Sequence, residues 1–418
     1  MTATRTATGT AAGTATGTAA GAGRTRPDED PRSGDMRART PGLPDISGRR
    51  AALSPRATAF DDRSTGRTWS FSAVDAAARR LAAGLCGMGL EAGARVAILC
   101  LNRAEFFVAL FACQKAGLVL APLNWRAPLA ELQPVVAAAG CAALIHDAAH
   151  RGIAEALGLA RIEMAGEGGF GDFGASLPDL PPRHIDADET WYLLFTSGTT
   201  GRPKAVIQTH RNHLAMVDAV REVDVLSDTM REGGLFLFLP LAHSFGRLMQ
   251  FAGPALNLPL VISTVPTLAD DARETRPGFF PGAPRVYEKM KSKIETAVSG
   301  ASALRRKLFR FAVATGKKTV PYRLQGAPLP LLLSLQHAVA DKLVLSKLRA
   351  VLGLDRAKAL LSGSAPLDPT VHEFFLALGF DLYEAYGLTE TCPGLTTNQP
   401  GKMKIGTAGT ALPGVQLK

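Results

Sequence analysis

The sequence predicts an α/β fold built on two mostly parallel sheets with helices on their faces. Three observations carry that expectation. Short apolar runs of strand length alternate with helical periods, the alternation recurs in a second block, and 418 residues are too many for one compact core.

Residues 1–23 are almost entirely Thr, Ala and Gly, and residues 24–48 add Arg, Asp and Pro. So little apolar area cannot offset the entropy of ordering, so residues 1–48 are expected to be a disordered low-complexity tail and 49–418 the folded domain. Order is expected near Ala51, and Ser72 with Asp75 three residues on reads as the first helix start, leading into 76–85. Runs 94–101 and 118–123 suit buried strands around a helical pattern at 104–115; a helix over 129–139 precedes a strand-like 141–145. The second block has strands at 191–195, 234–239 and 258–265, with helices from about Asn212 and Ser244. Residues 285–350 read as helical, and strands at 357–362 and 381–385 flank a helix over 369–378.

Hydrophobic residues make up 46% of the chain and charged residues 20%, which are globular proportions. No apolar stretch reaches the roughly 20 residues of a membrane span, and the N-terminus lacks the apolar core of a secretory signal. The five cysteines have no Cys-x-x-Cys spacing, so buried thiols in a reducing, cytoplasmic compartment are expected. The net charge of +10 is uneven: residues 285–350 hold 14 Lys and Arg against Glu288, Glu295 and Asp341. Basic clusters alternating there with apolar stretches suit an anionic substrate or an anionic membrane touched peripherally, with a solvated helical face as the plain alternative. Without interleaved aromatics or a known module, nucleic-acid binding is not expected.

Chemistry concentrates after the run 191–195. There Thr196, Ser197, Gly198, Thr199, Thr200, Gly201, Arg202, Pro203 and Lys204 combine glycines that free backbone N–H groups, four hydroxyls and a cation. That composition can cradle phosphate, yet it is not the Gly-x-x-x-x-Gly-Lys loop, and a polar hairpin turn returning through 205–208 fits the same residues. The nine-residue order resembles the signature of the adenylate-forming superfamily, the AMP-dependent synthetases and ligases. Further stations follow in order. Residues 239–246, around His243, resemble the motif at the acyl pocket; Gly363, Ser364, Ala365 and Pro366 resemble the segment packed on adenine; Glu384, Ala385, Tyr386, Gly387, Thr389 and Glu390 resemble the motif beneath the nucleotide.

The resemblance implies the large N-terminal domain of that family, two stacked sheet lobes followed by the start of a third, β-barrel subdomain. It implies that Thr196 to Gly201 and Lys204 hold ATP phosphates, Tyr386 faces adenine, Thr389 meets the α-phosphate, and Glu390, with Thr196, holds Mg²⁺, while His243 stands beside substrate and nucleotide. The chemistry implied is attack of a carboxylate on the α-phosphorus of ATP, then transfer of the acyl group to coenzyme A. Asn124, Trp125 and Arg126, and the stretch from Phe279 to Lys289, resemble bacterial long-chain fatty acyl-CoA ligases, although Ala283 stands where that pattern usually has Val. The Thr-Gly-Asp motif and the C-terminal domain with its lysine do not occur in these residues, so this chain alone is expected to make little acyl-adenylate. A non-catalytic nucleotide- or lipid-binding remnant, and an enzyme adenylating another carboxylate, remain the alternatives. Asp368 reads as a carboxylate at a helix start and Cys392 as no nucleophile.

Overall fold

The computed structural model describes residues 45–166, 169–197, 203–223, 234–247, 253–254 and 257–418. The tail expected at 1–48 lies outside these residues up to position 44. Order begins earlier than the sequence suggested: Asp45 caps α1 (Ile46–Leu53) by accepting from the Gly48 amide. Helix α1 is anchored by a buried network in which Lys115 bonds to Asp45 and lies 2.6 Å from Asp75, which also takes bonds from Ser47 and Arg79. Burial works against the Asp75 carboxylate, but Lys115, Ser47 and Arg79 together outweigh it and hold its pKa below the usual value.

Strands β1 (Thr58–Asp62) and β2 (Arg67–Ser70) form a hairpin and lead into α2 (Phe71–Gly87). The cap of α2 is Ser70, which accepts from the Ala73 amide, and not Ser72; Asp75, taken as part of the start signal, is instead in the buried network. There follow β3 (Arg95–Leu99), α3 (Ala104–Ala116), β4 (Val119–Pro122), α4 (Leu129–Ala139), β5 (Cys141–His146), α5 (Arg151–Ala156), β6 (Ala160–Glu163), β7 (Thr190–Ser197) and β8 (Pro203–Thr209). Helix α6 (His210–Arg221) starts two residues before Asn212, because Thr209 and Asn212 form a capping box. Next come β9 (Leu235–Leu237), a helical turn at 244–247, β10 (Leu260–Ile262), α7 (Leu268–Thr275) and β11 (Phe279–Gly282).

The basic segment is helical as expected: α8 (Pro284–Ser299), α9 (Ala303–Leu324), α10 (Leu331–Ala340), a π-helical stretch (Asp341–Leu345) and α11 (Ser346–Val351). Strand β12 (Ala359–Ser362), α12 (Pro369–Ala377), β13 (Leu382–Gly387), β14 (Gly394–Thr397) and β15 (Thr410–Ala411) complete the described chain. Asp368 caps α12, accepting from the Thr370 amide and hydroxyl, which lower its pKa.

Among the described residues these strands make two sheets, ordered β6-β5-β3-β4-β7-β8 and β15-β14-β13-β12-β11-β9-β10-β1-β2. The interior pairs are parallel; antiparallel strands lie only toward the ends, β8 on one sheet and β2, β14 and β15 on the other. At the place where the start of a third, β-barrel subdomain was expected, β14 and β15 add antiparallel beside β13 at the end of the nine-stranded sheet. Helix α3 explains how the sheets share one core. It is buried continuously from Ala104 to Gln114, its Phe107 stacks on Phe60 of β1 with centroids 4.6 Å apart, and its Leu110 carbonyl accepts from the Trp191 indole of β7 at 3.1 Å. A mostly apolar helix buried on every side fits only between layers. No described helix is long and apolar enough to cross a membrane. All five cysteines are free thiols, four of them buried.

Candidate functional site

Parallel strands deliver their side chains to a common edge, and ligands of open α/β sheets bind where the strands end. In the nine-stranded sheet, Gly282 of β11 stands in register with Ser362 of β12, and Ser362 with Glu384 of β13. The loop holding Gly363, Ser364, Ala365 and Pro366 leaves at that edge, with Gly363 buried and the other three exposed. Ser364 has φ +75°, a left-handed conformation that a non-glycine residue adopts only under local constraint. Tyr287 fixes the edge from below, donating its hydroxyl to the Phe280 and Leu361 carbonyls, both at 3.1 Å.

Strand β13 runs past this edge. Glu384 is buried, Ala385 partly so, and Tyr386 is 48% exposed, so an aromatic face is available at the surface. Gly387 is required where it stands: a Cβ would collide with the Pro393 carbonyl oxygen. Thr389 and Glu390 then form one 3₁₀ turn (Thr389–Thr391). Glu390 is exposed and, among the described residues, has no hydrogen bond or ion pair, so its carboxylate is free to take a hard cation. No three His, Cys, Asp or Glu side chains cluster to hold a metal by themselves among the described residues, so phosphate oxygens would have to complete such a shell.

Of the run from Thr196 to Lys204, Thr196 and Ser197 end β7 and Pro203 and Lys204 begin its antiparallel partner β8, as the hairpin alternative expects of these described ends. Thr196 pairs with Lys204 across the two strands; Thr196 is partly buried and Lys204 exposed. Gly198, Thr199, Thr200 and Gly201 lie outside the described residues, as does the Ser197 side chain. The hairpin reaches the β13 turn directly. Buried Gln208 of β8 donates to the Thr389 carbonyl at 2.7 Å, which brings the two motifs together from different sheets.

His243 stands at the start of the helical turn 244–247, after β9. Asn102, at the end of β3, clamps this segment by donating to the Leu239 carbonyl at 2.8 Å and accepting from the Leu241 amide at 3.3 Å. Phe245 lies against Gly363, 3.5 Å from where a Cβ would be, which links the His243 segment to the loop after β12. The His243 side chain is exposed on one side, yet the atoms enclosing its other side lower its pKa by desolvation, with Arg126 adding to the effect. Of the stretch Asn124 to Arg126, Arg126 thus reaches the His243 region, and its guanidinium lies over the Trp125 ring at 4.6 Å.

Some residues of the site were not evident from sequence reasoning. Gln208 and Asn102 are clamps whose partners are backbone atoms far along the chain, and nothing local marks them. Arg247 is fully buried, its guanidinium 3.4 Å above the Tyr192 ring, and burial lowers its pKa. Ser362 and Glu384 leave one buried oxygen each, Oγ and Oε2, without a partner. Burial raises the Glu384 pKa against a bond from the Leu367 amide. Two orphaned oxygens in adjacent strands at a sheet's carboxyl edge suit a ligand with polar edges, such as a nucleoside. Cys392 is near His213, 3.5 Å from its Nδ1, but burial pushes the thiol up to about 12, in keeping with no nucleophilic role.

Comparison with known proteins bears on this arrangement. The family model described as AMP-binding enzyme matches residues 48–418. The long-chain-fatty-acid–CoA ligase FadD15 of Mycobacterium bovis (strain ATCC BAA-935 / AF2122/97) is 31% identical over 361 residues, 81% of this chain and 59% of FadD15. The chain thus spans less than two thirds of that relative. Among solved structures, o-succinylbenzoate coenzyme A synthetase (MenE) of Bacillus subtilis in complex with ATP and magnesium ion superposes with a TM-score of 0.63 at 20% identity, over 88% of this chain and 65% of that one. The N-terminal domain of FACL13 of Mycobacterium tuberculosis gives 0.63 at 20% identity over 88% and 81%. At such identities these two establish the fold alone.

Proposed function

Because the chain belongs to the AMP-binding enzyme family, we propose that it serves an ATP-dependent fatty acyl-CoA ligase, activating a fatty acid as its acyl-adenylate before transfer to coenzyme A. The observation that carries this reading is the Gln208–Thr389 hydrogen bond, which joins the phosphate-cradle hairpin to the Thr389–Glu390 turn across two sheets. Neither motif alone would distinguish a nucleotide site from a polar loop.

In the proposed reaction a fatty carboxylate oxygen bonds to the α-phosphorus of ATP and the bond to the pyrophosphate oxygen breaks. The chain's part is to position and neutralise charge. Lys204 and the hairpin hydroxyls hold the phosphates, the Thr389 hydroxyl meets the α-phosphate, and Tyr386 stacks on the base. The loop from Gly363 to Pro366 borders the same base, and the unpartnered Oε2 of Glu384 accepts from it. Magnesium, held by Glu390 with Thr196 nearby, would supply countercharge to the departing pyrophosphate. His243, its pKa lowered, is neutral at pH 7 and so contacts the carboxylate side of the substrate without adding a charge. Phe238, which leads into this segment, stacks on Phe280 of β11 at 5.2 Å, an apolar neighbour in keeping with an acyl chain.

Titration calorimetry tests the proposal. MgATP should bind the chain, a non-hydrolysable fatty acyl-adenylate mimic should bind at least tenfold tighter, and Glu390→Gln should remove the magnesium dependence of ATP binding. Tighter binding of an aryl- or aminoacyl-adenylate mimic would reassign the substrate, and absence of binding by every mimic would overturn the reading.

A further inference from the structure

The helices between β11 and β12 leave the sheet after Gly282, at the edge that carries the candidate site, and rejoin it at Ala359, which pairs with Phe279 at the opposite end of these parallel strands. Their outer face is unusual. Along the continuous helical run from α10 through the π-helical stretch, Leu331, Leu335, Val339 and Leu343 recur every fourth residue, with Leu332 beside them. All five are exposed, from 46% for Leu343 to 79% for Leu331. Helix α9, which packs against α10, adds exposed Leu304 and Phe311. A soluble face would scatter such residues singly; a stripe at helical spacing marks a contact surface.

The charges around the stripe identify the occupant. Helix α9 contains seven Lys and Arg and no acid. Lys317, Arg323 and Arg349 are committed to Glu373, Asp381 and Asp341. Arg305, Lys307, Lys318, Lys342 and Lys347 have no carboxylate partner among the described residues, and all five are exposed. Exposed leucines bordered by unpaired cations complement an anionic bilayer, whose headgroups take the charges while the interface takes the apolar side chains.

We propose that the outer face of α9 and α10, with the π-helical stretch, is a peripheral docking surface for anionic lipid membrane, lying flat with Leu331, Leu335, Val339 and Leu343 in the interface. This goes beyond the reaction proposed above and does not depend on it, since docking is read without nucleotide or acyl substrate. The face belongs to the crossover that leaves β11 at the edge of the candidate site and returns to β12.

The test is co-sedimentation of the full chain with vesicles of phosphatidylcholine alone or of equal parts phosphatidylcholine and phosphatidylglycerol. Binding is expected only to the anionic vesicles and should be released in molar salt, where the Debye length falls to about 3 Å. The triple variant Leu331→Ser, Leu335→Ser, Val339→Ser and the variant Arg305→Gln, Lys307→Gln, Lys318→Gln, Lys342→Gln, Lys347→Gln should each lower the vesicle partition coefficient by ~10-fold or more. All eight positions are on the surface, and circular dichroism checks that both variants fold. Binding indifferent to lipid charge, or unchanged in either folded variant, overturns the proposal. So does sedimentation equilibrium showing a dimer that the serine variant dissociates with no vesicle binding, which would assign the face to a second copy.

Discussion

Glu384 shows at a single residue how the site departs from stable packing. Its carboxyl is buried with one oxygen unpartnered, and burial raises its pKa. A carboxyl whose folded pKa lies above its unfolded value contributes stability below the unfolded pKa, and that contribution is lost as pH rises through the folded pKa. Glu384→Gln has no such loss. Its Tm should therefore exceed that of the parent at pH 7 and converge on it near pH 4, while calorimetry should show nucleotide affinity lower by roughly tenfold, the scale of a charged hydrogen bond. A variant that lost both stability and affinity would make Glu384 a structural residue. Tyr386, Thr389 and Glu390 were legible in the sequence because their chemistry is carried in a contiguous order. Glu384 was visible as part of that order, but its orphaned oxygen was not, because burial depends on β12 and β14, strands on either side of it.

Elements were legible where periodicity dominates and less so where single side chains set the boundary. The apolar runs at β3, β4, β5, β7 and β9 and the helices α3, α4 and α12 stand close to where the pattern placed them. The hairpin β1–β2 was missed: Thr58–Asp62 has two acids, yet Asp62 is fully buried because it accepts from Ser64, Thr65 and the Ala104 amide. The start of α2 was displaced because both Ser70 and Ser72 are good caps and only geometry chooses between them. Ser70→Ala should cost about 1 kcal/mol in urea unfolding and Ser72→Ala less than half of that; the reverse order would contradict the cap. Helix α6 brings in a second effect. His210, stacked on Trp191 at 4.6 Å, has its pKa lowered to about 4, first by burial, with Glu189 opposing and Arg183 adding. His213, on the same helix, is shifted in the same direction. The unfolded chain protonates these residues near pH 6.5, so stability falls as pH drops from 6.5 toward 4, by about 3 kcal/mol for His210. Urea midpoints across that range should decline less steeply in His210→Gln.

Across the whole molecule, the site is an agreement between two sheets. Gln208 and Asn102 are the cross-links, and Gln208→Met keeps the volume of the strand residue while withdrawing the donor from the Thr389 carbonyl. Nucleotide affinity should fall about fivefold, the worth of one net hydrogen bond, with little change in the far-UV spectrum; unchanged affinity would uncouple the hairpin from the turn. The two-sheet architecture could be read from the alternation of periods. Which strands became neighbours could not, because Phe60 pairs with Leu260 and Gly282 with Ser362 over separations that local pattern does not reach.

That first pairing also orders events in time. Strand β1 is made early, but its parallel partner β10 follows only after every strand of the six-stranded sheet has been synthesised. The smaller sheet can therefore close while β1 and β2 wait at the edge of a sheet whose centre does not yet exist, and contacts of such sequence separation form late. Ribosome-bound chains halted a tunnel's length after α6 should already protect β3 to β8 from protease while leaving Phe60 and Trp69 accessible. On this view the junction that Gln208 and Asn102 make between the sheets is the last part of the molecule to be completed as the chain is made.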